Sequence, residues 1–157
     1  MKKITFLIRL KQEEKLQLVE PSEEIKQSYI DKSESNLISA KILLSNNRLE
    51  ESVGLAYYSM YHLLTALLFK VGIKSENHSA SIILLAELFH LNNEAISEAK
   101  TERIDKQYYV DFQITKEEVQ NTIRNAELFN KKMIDFISKI NNEQIKNYHE
   151  EFKAIFK

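Results

Sequence analysis

Two glycines and one proline in 157 residues leave this chain few ways to turn sharply. A sheet protein of that length reverses direction many times. Its turns draw on Gly, Pro and Asn for backbone angles that other residues supply poorly. The scarcity of Gly and Pro favours long helices joined by a few short loops. A chain of about 150 residues also buries roughly 70% of its unfolded surface. The predicted product is one all-α domain, an antiparallel up-and-down bundle of about five helices.

Local signals place the helices. Ser22, after Pro21 and before Glu23-Glu24, suits the N-cap of a helix running through Ile25, Tyr29, Leu37 and Leu44. Asn47 with Glu50 reads as the cap of a second helix that ends near Val71 at Gly72, a natural left-handed stop. A third helix is expected over roughly 77–90 and a fourth from Asn92-Asn93 to about Tyr109, with an irregular joint from Val110 to Ile114. Thr115-Lys-Glu-Glu118 is a capping box opening a long helix, on which Val119, Ile123, Ala126, Phe129, Met133 and Ile137 recur at helical spacing. Residues 1–20 read as an arm or short helix and 21–140 as the bundle. Residues 141–157 read as an amphipathic helix laid on the bundle or on a partner.

Composition removes several function classes. There is no cysteine, hence no disulfide and no thiolate chemistry. A net charge of −1 gives no global pull toward nucleic acid. Walker, Rossmann and hydrolase-triad patterns are absent, and no cofactor is implied. The four histidines form no i, i+4 pair, and Glu87-Leu-Phe-His90 supplies one Glu-x-x-His where a di-iron bundle needs two, so no metal site is expected. The apolar start is broken by Arg9 and lacks a small-residue cleavage site. No run is expected to approach the 18 or so apolar residues of a membrane span. A soluble cytoplasmic protein with no membrane partner is the expectation.

Two stretches can carry chemistry. Ala56-Tyr-Tyr-Ser-Met-Tyr-His62 packs three tyrosines and a histidine into six positions of the most apolar helix. Tyr57, Tyr61, Leu64 and Leu68 form one ridge, with Tyr58, His62, Thr65 and Phe69 beside it. They either brace the core or line a site. Glu102-Arg103-Ile-Asp105-Lys-Gln107-Tyr108-Tyr109 sets one of only four arginines among acids, an amide and two phenols. It is either a solvated charged helix, with Glu102 or Asp105 paired to lysines, or an arginine aimed at phosphate with tyrosines to stack on bases.

With both stretches in order, followed by Gly72-Ile-Lys-Ser-Glu-Asn-His78, Thr115-Lys-Glu-Glu-Val and Ala126-Glu-Leu-Phe129, residues 20–140 resemble the small stand-alone HEPN-domain proteins of bacteria and archaea. The resemblance implies a helical bundle, commonly a homodimer, tied to nucleotide or RNA chemistry. Many members are toxins paired with a small nucleotidyltransferase; others are defence ribonucleases. Catalytic members carry Arg, four to six residues, then His. Here Arg103 is followed at that distance by Tyr108 and Tyr109, and no histidine follows Arg9, Arg48 or Arg124 in range. A tyrosine of ordinary pKa near 10 is a poor base at neutral pH.

The leading expectation is therefore a binding module acting with a nucleotidyltransferase or nucleic-acid partner. Its candidate ligand-binding residues are Arg103, Gln107, Tyr108, Tyr58 and His78. The alternatives are a metal-independent toxin-type endoribonuclease built from Arg103, Tyr108 and His62 or His78, and a purely structural interaction bundle.

Overall fold

The computed structural model describes residues 2–108 and 113–157, with side chains described for all of these except 105–108. The elements run α1 (Lys2–Gln12), β1 (Leu16–Leu18), α2 (Glu23–Ser45), α3 (Leu49–Val71), β2 (Ile73–Ser75), α4 (His78–Glu87), α5 (Glu94–Tyr108), α6 (Lys116–Ser138) and α7 (Asn142–Ile155). The fold is all-α in architecture. Seven helices are seen among the described residues where a bundle of about five was expected; α1 falls in the segment read as an arm or short helix and α7 in the one read as an amphipathic helix. Of the joint expected from Val110 to Ile114, residues 110–112 lie outside the described residues, and 113 and 114 are irregular as expected.

Helix α3 is the axle of the bundle: α2, α4, α5, α6 and α7 all pack on it. Its apolar character follows from that position, with Val53, Ala56, Met60, Leu63, Leu64, Leu67 and Val71 all fully buried. By length and composition α3 could cross a membrane, which corrects the expectation that no run comes near that limit. Two thirds of the apolar window (67%) is already covered by the protein's own helices.

Small polar residues let α2, α3 and α6 approach closely. Ser33 Oγ donates to the Ser59 carbonyl (2.6 Å), Asn130 Nδ2 donates to Ser59 Oγ (2.7 Å) and Ser52 Oγ donates to the Ala40 carbonyl (2.7 Å). Burying hydroxyls without partners is costly, so these bonds fix the register of the three helices.

The caps agree with the sequence in three places and differ in one. Ser22 Oγ accepts from the Ile25 N–H (3.1 Å), Thr115 Oγ1 accepts from the Glu118 N–H (3.1 Å), and Gly72 ends α3 at φ 80°. Asn47 does not cap α3. It takes the left-handed φ of 59° that terminates α2, a conformation asparagine tolerates, and Arg48 precedes α3 with no side-chain cap bond.

The N-terminal segment is a helix and a strand rather than a free arm. Leu7, Leu10 and Leu16 are buried in the common core, and β1 pairs antiparallel with β2 in the register Leu16↔Ser75, Gln17↔Lys74, Leu18↔Ile73. At the other end, Asn141 and Gln144 form a reciprocal capping box that starts α7. That helix packs on its own bundle. Phe152 is fully buried, Tyr148 meets Phe89 with ring centroids 4.8 Å apart, and the His149 Nε2–H donates to the Val71 carbonyl.

Candidate functional site

Helical periodicity turns Tyr57, Tyr58, Tyr61 and His62 of α3 toward the start of α4 and the second half of α5. Tyr57 is fully buried, yet its hydroxyl is satisfied by His78 Nδ1 at 2.7 Å. Asn77 Oδ1 caps α4 by accepting from the Ala80 N–H (2.9 Å), which places His78 at the first helical position. The His78 ring lies nearly flat on Tyr61, with centroids 3.7 Å apart and planes 16° from parallel. One imidazole is thus clamped by a hydrogen bond on one tyrosine and by stacking on another.

Arg103 reaches this cluster from α5. Its guanidinium carbon stands 4.9 Å from the Tyr58 ring centroid and 5.4 Å from that of Tyr57. A guanidinium over an aromatic face is held by the ring quadrupole. Lys100, one turn earlier, donates to Ser79 Oγ at 2.6 Å. Two cationic side chains of α5 therefore converge on the first turn of α4.

This environment sets the protonation states. Burial is the largest influence holding the His78 imidazole below its ordinary pKa, and the Arg103 and Lys100 charges push the same way. Burial raises the Tyr57 phenol well above its usual range, with Tyr61 and Tyr58 adding and Arg103 opposing. Tyr61 is likewise raised, chiefly by burial. Neither buried phenol serves as a base at neutral pH, whereas His78 is neutral there and can accept a proton.

His62 sits at the edge of the cluster, its ring 5.9 Å from Tyr58 and 5.7 Å from Tyr29. Its Nδ1 is buried without a hydrogen-bond partner among the described residues. Burial, with smaller contributions from Lys32 and His78, lowers its pKa to about 4. The folded state thus refuses a proton that the unfolded chain accepts near pH 6.5. His62 leaves stability untouched above that pH and erodes it as pH falls toward 4. For a half-buried ring the loss between pH 7 and 4.5 is about 1–2 kcal/mol. Urea titrations at the two pH values should show this drop, and His62→Phe should flatten it. An equal drop in the variant would place the acid sensitivity elsewhere.

Of the residues singled out in the sequence, Arg103, Tyr58 and His78 come together, and His62 adjoins them through Tyr58. The side chains of Gln107 and Tyr108 lie outside those described. Glu102 accepts a hydrogen bond from Thr122 Oγ1 at 2.6 Å. Three members were not named as site residues from sequence. Tyr57 and Tyr61 read as core, while Lys100 reads as a solvated charge unless its i, i+3 spacing to Arg103 is considered. Among the described residues no three His, Asp or Glu side chains are grouped to hold a metal. Helix α4 ends at Glu87, so Glu87 and His90 do not share a helical face.

A cavity of about 390 Å³ lies elsewhere, between the start of α5 and α6, lined by Leu91, Glu98, Leu128 and Lys132 among others. It contains none of the aromatic–arginine cluster, and the clustered chemistry marks the better candidate site.

A protein of Methanocaldococcus jannaschii named "Putative toxin" is 34% identical over 110 residues, covering 66% of this chain and 81% of that protein. A UPF0332 protein of Pyrococcus horikoshii is 43% identical over 56 residues, 36% of this chain and 39% of the other. The HEPN domain pattern matches residues 26–141, the stretch from α2 through α6 that builds both the bundle and the tyrosine–histidine–arginine cluster. The chain belongs to the HEPN-domain family.

Proposed function

We propose that this protein is a toxin-type HEPN module that binds single-stranded RNA or a nucleotide through the Arg103 cluster. It works in the cytoplasm as a homodimer with a nucleotidyltransferase partner. One observation carries the reading: a guanidinium seated on Tyr57 and Tyr58, with Lys100 and a neutral His78 beside it. An arginine fork suits a phosphate, and the half-buried Tyr58 ring gives a base a surface to stack on. The toxin name of the Methanocaldococcus relative supports placing the activity in a toxin-type system. Titrating a labelled single-stranded RNA with the purified chain tests the reading. Saturable binding that weakens with salt is the expected result, and no binding at low salt would overturn it.

A second reading is favoured by one contact pattern. Arg103 and His78 lie 25 positions apart in the order opposite to the family motif, yet both contact Tyr57 and Tyr58. A neutral His78, fixed by Tyr57, could take the proton of a ribose 2′-hydroxyl while Arg103 stabilises the phosphate, giving a metal-independent endoribonuclease. Under this reading His78→Ala abolishes RNA cleavage in the presence of a chelator while RNA binding persists. Absence of cleavage by the unmodified protein dismisses it.

A further inference from the structure

A second cavity, of about 340 Å³, opens between α1, α4 and α5 beside the Arg103 cluster, and its walls include Lys3, Ser79, Asn93, Ser97, Lys100 and Thr101. We propose that this cavity is a phosphate subsite, taking the phosphate next to the one at Arg103 on a bound RNA strand. The inference rests on the RNA-binding reading above and names how that site continues.

The lining chemistry points to an anion. Lys3 of α1 and Lys100 of α5 are among its lining residues, and no acidic residue is found among those described. Lys100 is not a free-swinging surface lysine. Its ammonium is anchored on Ser79 Oγ at 2.6 Å, so less rotamer freedom is left to lose on binding. Ser79 accepts that bond through a lone pair and keeps its own O–H to donate. Asn93 and Thr101 are held in place by bonds to the Ile82 carbonyl (2.9 Å) and the Ser97 carbonyl (3.1 Å), so the walls are preformed.

The position relative to Arg103 decides the ligand class. Lys100 and Arg103 are three residues apart on α5, with Cβ atoms about 5–6 Å from each other. Both charges depress the same imidazole, His78, so they stand at one end of α4. That separation matches successive phosphates of one nucleic-acid strand. A strand passing the start of α4 can set one phosphate at Arg103 and the next in the cavity lined by Lys3 and Lys100.

The test uses the full chain and two ribodinucleotides, ApA with one phosphate and its 5′-phosphorylated form with two, followed by NMR titration. The doubly phosphorylated probe should bind about tenfold more tightly, as a charge-assisted contact would give. It alone should shift the amides of Ser79, Ser97 and Thr101. In a Lys3→Gln/Ser97→Ala double variant, both changes lying in the cavity wall and outside the Arg103 cluster, the tenfold gain should largely vanish while ApA binds as before. If both probes bind alike, or the double variant keeps the gain, the subsite is wrong. Should Arg103→Ala still weaken ApA in that case, the RNA-binding reading survives alone. If neither dinucleotide binds the unmodified chain, both the reading and the subsite are overturned.

Discussion

Gly72→Ala should destabilise the protein by about 2–5 kcal/mol, read as a lower urea midpoint with an unchanged slope. Two physical costs add. The backbone at Gly72 has φ 80°, where a Cβ costs about 1–2 kcal/mol. The new methyl would also press on the Val19 carbonyl, closer than any real contact, with His149 Nε2 at 2.8 Å and Pro21 Cδ at 3.0 Å. None of these can retreat cheaply. Val19 donates its N–H to the Gly72 carbonyl at 2.8 Å, and His149 is held by Val71. The glycine is the point where the N-terminal segment, the end of α3 and α7 meet. Gly54 is the contrast: it lies inside α3, and a methyl group added there would meet no atom within 4 Å. There Gly→Ala should stabilise by up to about 1 kcal/mol, because alanine loses less backbone entropy in a helix. Equal effects at the two positions would refute the packing argument.

Arg103→Ala should weaken single-stranded RNA binding by about 10- to 100-fold, the range of one lost charge-assisted phosphate contact. The salt dependence should change as well, the slope of log K against log salt falling by about 0.7 for each phosphate contact removed. Arg103 also packs on Tyr57 and Tyr58, so truncation should cost about 0.5–1 kcal/mol of stability. That loss is too small to unfold the chain, and a melting curve separates it from the binding effect. Arg103→Lys sharpens the result. A lysine restores the charge without the planar fork, so it should recover the salt slope and only part of the affinity. Unchanged affinity in Arg103→Ala would remove the arginine from the site.

The two outcomes differ in how far they could be foreseen. Gly72 was readable because a helix stop is a local event: a glycine after an apolar helical run needs no knowledge of the rest of the chain. Ser22 and Thr115 were readable for the same reason, their hydroxyls serving N–H groups three residues away. Asn47 misled because asparagine suits both an N-cap and a left-handed helix end, and the sequence around it fits either. The pairing of β1 with β2 was not visible. Three-residue strands are too short to display an alternation, and each is defined by a partner far along the chain. Residues 2–20 consequently read as peripheral although Leu7 and Leu16 are fully buried.

For the site, residue types were legible and their meeting was not. Tyr58, His78 and Arg103 each stood out by chemistry, but they come from α3, α4 and α5. Lys100 did not stand out because a lysine on a charged helix is ordinary; only Ser79 across the helix interface gives it a fixed place. The all-α fold, most helix ends and the HEPN membership are determined by the sequence itself, since propensity, caps and helical periodicity act within a few residues. The aromatic seat for Arg103, the neutral His78 and the two-lysine cavity were decided only by tertiary structure. Desolvation and Coulomb energies depend on distances through space, and those exist only once the helices have packed.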